Sequence, residues 1–572
     1  MISRGNWGEI TERDWHTVGA QEYGYVVPDP LHPGITFGGK LQKHDERTDQ
    51  TQEVSPIALP SKQYRTVRTE PVAFDHFDHH RLYYGTNVVF ATDDGGQSWH
   101  AIGPDLTREH PAIPAVIAAF ESDDPSHGNH RGVVYALAPS YVHRGTIWAG
   151  TDDGLVWITR DAGKHWTNIT PPELTPWSKI SQIDASRFDD DTAFVAVNRF
   201  RLDDPHPYVY VTHDGGRTWK LRVNGLPDQP VNAVRQDPKT PNLLYAATEN
   251  GVYVSFDGAA TWQSLQNDLP RTSVRDIIVH DNDLIVATHG RGFWILDDIE
   301  PLRELSFDGV YPERSRGAQG DKGGRNAGNA YLFAPERAYR VRRSTNTDTP
   351  LPPEELMGEN PPDGAIVDYT LNHPANRVVL TFYDSSRHLV RRFSSDDTAP
   401  SPIPHLDKPA YWERPFVKLS TATGMHRFAW DLREAPPSAG QDLPISAVPH
   451  DTPRVPQGPL VVPGRYLVSL DVDGHVMESM VDIVMDPRVV ISSEALEAQY
   501  QLARRVTTLA NRSYDAAAKS RNNSAMAAFT KINEAAVTLL DTVDGADAPP
   551  TQQATAAVAA LEAQFEAMQH LR

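Results

Sequence analysis

The chain repeats one eight-residue phrase, Ser/Thr-x-Asp-x-Gly-x-Ser/Thr-Trp, and the repeat restricts what its first half can become. The copies are Thr92-x-Asp94-x-Gly96-x-Ser98-Trp99, Thr159-x-Asp161-x-Gly163-x-His165-Trp166, Thr212-x-Asp214-x-Gly216-x-Thr218-Trp219 and Ser255-x-Asp257-x-Ala259-x-Thr261-Trp262. The first and third fit fully; the second has His165 for the hydroxyl residue and the fourth Ala259 for glycine. Such a phrase reads as a hairpin turn. The carboxylate accepts N–H bonds of its own turn, glycine supplies a positive φ, and the indole packs the turn onto the sheet. Strand-like runs precede each copy; before the fourth they are residues 231–234, 243–247 and 252–255, the last two parted by Glu249-Asn250-Gly251. With the strand after the phrase, each unit has four strands at the spacing of a propeller blade. A sandwich of unrelated hairpins would not space four copies of one pattern in this way.

Six units are expected, beginning near Tyr23, Pro71, Val133, Ile180, Val231 and Val274, and the first and last carry no phrase. These residues resemble the Asp-box, or bacterial neuraminidase-repeat (BNR), β-propellers, and most of all the large bacterial glycosyl hydrolase-like and sortilin-like proteins. The matching stretches are residues 10–16, 148–154 and 289–298. The resemblance implies that Asp94, Asp161, Asp214 and Asp257 are structural, on the face away from the active site. It also implies a longer parent protein, with a signal peptide and more propeller ahead of Met1, and an extracytoplasmic (periplasmic or secreted) location. No signal peptide is read in residues 1–7. A missing blade would leave an open sheet edge that must be covered or paired.

Composition narrows the function classes. The 572 residues carry a net charge of −21 with no basic stripe, which argues against a nucleic-acid partner. There is no cysteine, which removes thiol catalysis and Cys-zinc sites. No apolar run is long enough to span a bilayer. No phosphate-binding glycine loop, His-Glu-x-x-His or Gly-x-Ser-x-Gly motif occurs, and no cofactor or metal is expected.

If the Asp turns mark one face, the turns between second and third strands mark the other, and the candidate residues lie there. The segment 198–206 is far longer than a minimal turn and carries Arg199, Arg201, Asp203 and Asp204. A solvated loop with internal ion pairs is an equal reading of it. His289 and Arg291 stand in the last such turn, where an arginine can meet a carboxylate or a sugar hydroxyl, or pair with Asp153 or Glu249. Glycoside hydrolysis needs two carboxylates, one kept protonated. Asp14, Asp152, Asp153, Asp203 and Glu249 are the first to test, with Asp153, Asp203 and Glu249 taken as catalytic. Arg199, Arg201, Asp204, His289 and Arg291 are taken as substrate-binding. The connection 103–131, with Glu109, His110, Glu121, Asp123, Asp124, His127 and His130, matches no metal-ligand spacing. Resemblance to xyloglucanase-type enzymes would put aspartates in a cleft between two propellers, half of which is absent here.

The expected domains are a propeller over 1–305, a Pro/Gly-rich connection over 306–364, an immunoglobulin- or fibronectin-like β-sandwich over 365–488 and a C-terminal helical hairpin or bundle over 489–572. The fold class is therefore mainly β. The leading functional expectation is a carbohydrate-active propeller, glycoside hydrolase-like, binding or hydrolysing a glycan opposite the Asp boxes. The alternatives are a non-catalytic sortilin-like scaffold for a peptide or protein, and an assembly subunit completed by a second propeller chain or the missing N-terminal half.

Overall fold

The computed structural model describes residues 4–569, apart from 7–8, 21–23, 60, 62, 68, 113, 115–129, 309–327, 343–354, 401–411, 440–452 and 455. Tyr23, Glu121, Asp123, Asp124 and His127 lie outside the described residues. The chain forms two compact units, His16–Ser315 and a second made of Met1–Trp15 with Arg316–Arg572.

The first unit is a succession of antiparallel sheets, each meandering in sequence order. The first sheet comprises Val26–Pro28, Ile35–Gly38, Gln42–Asp45 and Gln50–Glu53; the second Val72–Phe74, Leu82–Gly85, Val89–Thr92 and His100–Ala101. The third comprises Val134–Pro139, Ile147–Thr151, Val156–Thr159 and Thr167–Asn168; the fourth Lys179–Ala185, Ala193–Asn198, Val209–Thr212 and Lys220–Leu221. The fifth comprises Val231–Gln236, Leu244–Thr248, Gly251–Ser255 and Gln263–Ser264. The sixth has only three strands, Val274–His280, Asp283–Thr288 and Phe293–Leu296, and runs into helix α1 (Glu300–Asp308).

All four Asp phrases form the turn between third and fourth strands. In the third, Asp214 Oδ1 accepts from Thr218 N (2.9 Å) and Oδ2 from Thr218 Oγ1 (2.7 Å). Thr212 Oγ1 donates to Asp214 and accepts from Gly216 N. Both central residues of the turn are left-handed, Gly215 at φ 72° and Gly216 at φ 84°, and Ala259 holds the same conformation at φ 70° in the fourth copy. The tryptophan acts between sheets. Trp99, Trp166, Trp219 and Trp262 donate their Nε1 protons to the carbonyls of Val54, Ile102, Ile169 and Arg222, each just past the outer strand of the preceding sheet.

Successive sheets pack through one recurring face. Four positions form it: Trp148, Gly150, Val156 and Ile158 in the third sheet become Phe194, Ala196, Val209 and Val211 in the fourth, and Tyr245, Ala247, Val252 and Val254 in the fifth. Each set is buried against the next sheet. In the sixth sheet the same positions are Ile285, Ala287, Phe293 and Ile295. They are less buried than in the other sheets: Phe293 is 51% exposed, and Ile278 on the same sheet is 46% exposed. Among the described residues, apolar clusters join each sheet to the next from first to sixth, and none joins the sixth to the first. Tyr25 and Asp276 nevertheless act electrostatically on each other at the hub. The described part of the first unit is therefore a run of six sheets, each packed on the next.

In the second unit a three-stranded sheet (Ala330–Leu332, Ala365–Leu371, Gly424–Trp430) shares one apolar core with a five-stranded sheet. The latter orders Ala338–Arg340, His475–Met485, Gly464–Val472, Val378–Tyr383 and Leu389–Ser394. Its edge pairing of 338–340 with 483–485 is parallel, a departure from the all-antiparallel expectation. Trp430 stacks on Phe382 at 4.2 Å between centroids. Helices α2 (Ser493–Lys519), α3 (Asn523–Asp544) and α4 (Gln552–Gln569) bury Leu502, Val506, Phe529, Ile532, Val558 and Phe565 together. Arg342 and Arg433 both reach Asp544, at 2.9 and 2.7 Å, and fasten the helices to the sheets. Among the described residues, no helix is long and apolar enough to cross a membrane.

Candidate functional site

The innermost strands of the third to sixth sheets share an irregularity. Their register shifts at the same place, leaving Tyr135, Ser181, Asn232 and Arg275 as bulge residues. A bulge takes its residue out of the ladder and re-aims the side chain. Here it does so at the hub, on the side of the second-to-third-strand turns and opposite the Asp turns.

Lys179, the first residue of the fourth sheet, sits among them, its Nζ 4.9 Å from the Tyr135 ring centroid and 5.9 Å from that of Phe200. Burial, and then the like charges of Arg201 and Arg275, push its pKa down to about 8 against the pull of Asp152 and Glu249. Arg201 Nη1 lies 3.4 Å from Asp152 Oδ2, while Asp152 Oδ1 accepts from Val133 N at 2.8 Å. Glu249 Oε1 accepts from Asn232 Nδ2 (3.0 Å) and Arg275 Nη1 (3.2 Å). The mouth thus gathers three cations and two carboxylates from four sheets. Deeper in, Arg235 lies between Asp184 (3.3 Å) and Asp276 (3.2 Å) and donates to Ile277 O. Near the opposite end His76 stacks on Tyr141 at 3.6 Å and Arg187 covers the same ring. Burial and then Arg187 push the His76 pKa down to about 4.

The residues singled out from the sequence have separate fates. Asp153 is fully buried, and its oxygens are taken by Thr151 Oγ1 (2.5 Å) and Arg108 N (2.8 Å); burial raises its pKa to about 6. Asp152 is buried in the ion pair with Arg201. Glu249 is half-buried in the mouth. Asp203 is exposed, left-handed at φ 54°, and ends a short 3-10 turn at Phe200–Leu202. Arg199 turns inward on its own loop: its Nε lies 3.2 Å from Asp204 Oδ2, and Asp204 also accepts from Tyr208 OH at 2.9 Å. For Arg199 and Asp204 the internal ion-pair reading of the loop is the one the geometry matches. His289 lies beside Arg275 (3.5 Å), whereas Arg291 is exposed and its main chain braces the turn with Thr288 and Trp294. The expected partner of Glu249 from that turn is replaced by Arg275. Asp14 closes a capping box with Thr11 in the other unit. Lys179, Tyr135, Asn232 and Arg275 were not singled out in the sequence. Their signal was positional: Tyr135, Asn232 and Arg275 share one place in the repeat, and Lys179 lies two residues before its equivalent, Ser181. Among the described residues, no group of three or more His, Asp or Glu side chains is placed to hold a metal ion.

A family model described as "Sortilin, neurotensin receptor 3" matches residues 154–292, from the third sheet to the last turn of the sixth. An oligoxyloglucan-reducing end-specific xyloglucanase of Emericella nidulans is 25% identical over 201 residues, which is 34% of this chain and 21% of that enzyme. The chain thus spans about a fifth of the length of that relative. Similar solved structures include an ancestral GH74 enzyme (13% identity, TM-score 0.30, covering 73% of this chain and 56% of that one) and the RRP9 WD40 repeats (12%, 0.35, 52% and 82%). The sequence matches support a β-propeller family for the chain.

Proposed function

We propose that the first unit is an Asp-box propeller that is carbohydrate-active and glycoside hydrolase-like, taking a glycan at the hub mouth opposite the Asp turns. The observation that carries this reading is the convergence of Lys179, Arg201, Arg275, Asp152 and Glu249 from four sheets onto one opening. Sugar hydroxyls both donate and accept, so a mouth holding cations and carboxylates side by side suits them. Glu249 and the exposed Asp203 are the carboxylates a ligand reaches most readily, with Asp153 behind them; Arg199, Arg201, Asp204, His289 and Arg291 line or brace the loops around the opening. The named xyloglucanase relative supports the ligand class, and the same kinship supports an extracytoplasmic location. The second unit's paired sheets serve as an immunoglobulin-like spacer in this reading.

The second reading is a sortilin-like scaffold that holds a peptide or protein without chemistry. It is favoured by the engagement of Asp152 and Asp153, which leaves no free acid–base pair in that turn. In either case a second propeller chain, or more propeller of a longer protein, is the partner proposed for the sixth sheet, whose Ile278 is 46% exposed. A polysaccharide panel assayed for hydrolysis with the wild type, Glu249→Gln, Asp203→Asn and Asp153→Asn tests the enzyme reading. Hydrolysis lost in Glu249→Gln or Asp203→Asn supports it; hydrolysis unaffected by all three removes these residues from the chemistry. Binding without hydrolysis leaves the scaffold.

A further inference from the structure

A cavity of about 570 Å³ opens beside the junction of the first and second sheets, and none of the site residues proposed above lines it. Its wall holds Glu70, which is 1% exposed; no side chain bonds its carboxylate, and only the main-chain amides of Val67 and Glu70 itself act on it. Arg131 lines the same cavity with a buried Nη1 that is unpartnered. A buried carboxylate with too few donors and a buried guanidinium N–H with no acceptor are each costly to keep out of water. Two of them facing one hollow is an arrangement that a ligand relieves. Burial raises the Glu70 pKa to about 7, against neighbouring main-chain amides and Lys40.

The lining fixes the class of ligand. Lys40 and Arg131 balance Glu53 and Glu70, while Arg65, also in the wall, is engaged at 2.7 Å by Asp105. A balanced wall has no net charge to neutralise, so it selects neither an anion nor a cation. What suits it is a neutral molecule that donates to Glu70 and accepts from Arg131, as sugar hydroxyls do. Tyr64 and Tyr84, with Ile57, add apolar surface for the ring faces of such a ligand. The volume falls within the range of small-molecule sites.

We infer that this cavity is a binding site for one unit of a neutral saccharide, anchored by Glu70 and Arg131. The ligand class follows from the cavity's own charge balance and does not depend on what the hub mouth takes. The site adjoins that mouth through Thr69, whose side chain is hydrogen-bonded to Tyr135.

The test is calorimetric titration of the full chain with cellotetraose, xylotetraose, maltotetraose and a xyloglucan oligosaccharide. It compares wild type, Glu70→Ala and Arg131→Ala with the hub variants Lys179→Gln and Arg201→Ala. The expected result is binding of at least one probe in two separable steps, one weakened about tenfold or more by each cavity variant and retained in the hub variants, which weaken the other. Thermal melts accompany the titrations. Removing a buried carboxylate with too few donors should not lower the melting temperature, so loss of binding in Glu70→Ala reads as loss of the anchor. Binding of no probe, or undiminished binding to Glu70→Ala, overturns the inference. Loss in the hub variants alone discards the cavity and keeps the hub reading; loss in the cavity variants alone does the reverse.

Discussion

Arg303→Met is the substitution whose cost the structure defines most closely. Arg303 reaches back from α1 into the junction of the fifth and sixth sheets, its side chain 3% exposed and that of its partner Asp237 0% exposed. Nε donates to Asp237 Oδ2 (2.9 Å), Nη1 to Asn282 Oδ1 (2.7 Å) and Glu300 Oε1 (2.7 Å), and Nη2 to Asp281 O (2.9 Å). Methionine keeps much of the volume and removes every donor. Asp237 then retains only the main-chain N–H groups of Lys239 and Thr240. Breaking one side of a buried pair costs about 3–5 kcal/mol, because the surviving charge stays out of water. At about 2–4 °C per kcal/mol for a domain of this size, the first unit should melt roughly 6–20 °C lower. Differential scanning calorimetry reads that transition, and guanidinium denaturation followed by tryptophan fluorescence gives the free energy. The decisive comparison is Arg303→Met/Asp237→Asn, in which the amide still accepts from both main-chain donors but carries no charge. It should lose less than Arg303→Met alone. A single-variant loss below about 1 kcal/mol, or a double variant equal to the sum of its parts, refutes the reasoning.

Further predictions follow the same logic. Glu70 holds its proton more tightly when folded, with a pKa raised from 4.5 to about 7, so stability should fall as pH rises through that window and level off above it. Glu70→Gln should remove that slope, gaining about 1–2 kcal/mol at about pH 8 once partial solvent access to the cavity is allowed for, and nothing at about pH 4; parallel pH profiles of the two proteins check it. Ile278→Lys should leave the melting temperature within a few degrees in a thermal melt, since that side chain is already 46% exposed. A large fall in melting temperature would mean that the face is covered. Asp214→Ala should lower stability and expose the 214–218 turn to proteolysis without altering any glycan binding, because its oxygens serve only its own turn.

The sequence carried the propeller elements through local chemistry. The Asp phrase specifies its own turn, so four copies announce four third-to-fourth-strand hairpins, and the strand runs between them set the units. Even Ala259 takes the left-handed conformation that the glycine of the other copies takes, because the surrounding hydrogen bonds of Ser255 and Asp257 are all present. What each indole does was not legible: its bond goes to the preceding sheet, a partner 40 to 64 residues away in sequence. Site residues were legible where a loop was visibly long and were missed where the signal was geometric. Lys179 and Arg275 sit inside strands, and only the bulges that re-aim their neighbourhood bring them to the hub. Asp153 looked catalytic as part of an acidic turn, yet folding spends one of its oxygens on the Thr151 hydroxyl and the other on the Arg108 main chain. Glu70 stands in a stretch with no motif, and only the cavity around it distinguishes it.

The most direct test is hydrogen–deuterium exchange of the full chain, free and saturated with whichever glycan of the polysaccharide panel it binds. Protection concentrated in residues 133–135, 179–181, 199–204 and 249–251, with none in the Asp turns at 94–98 and 214–218, is the result predicted here. Protection of the Asp turns, or of the second unit alone, would contradict a hub mouth as the place where this protein meets its ligand.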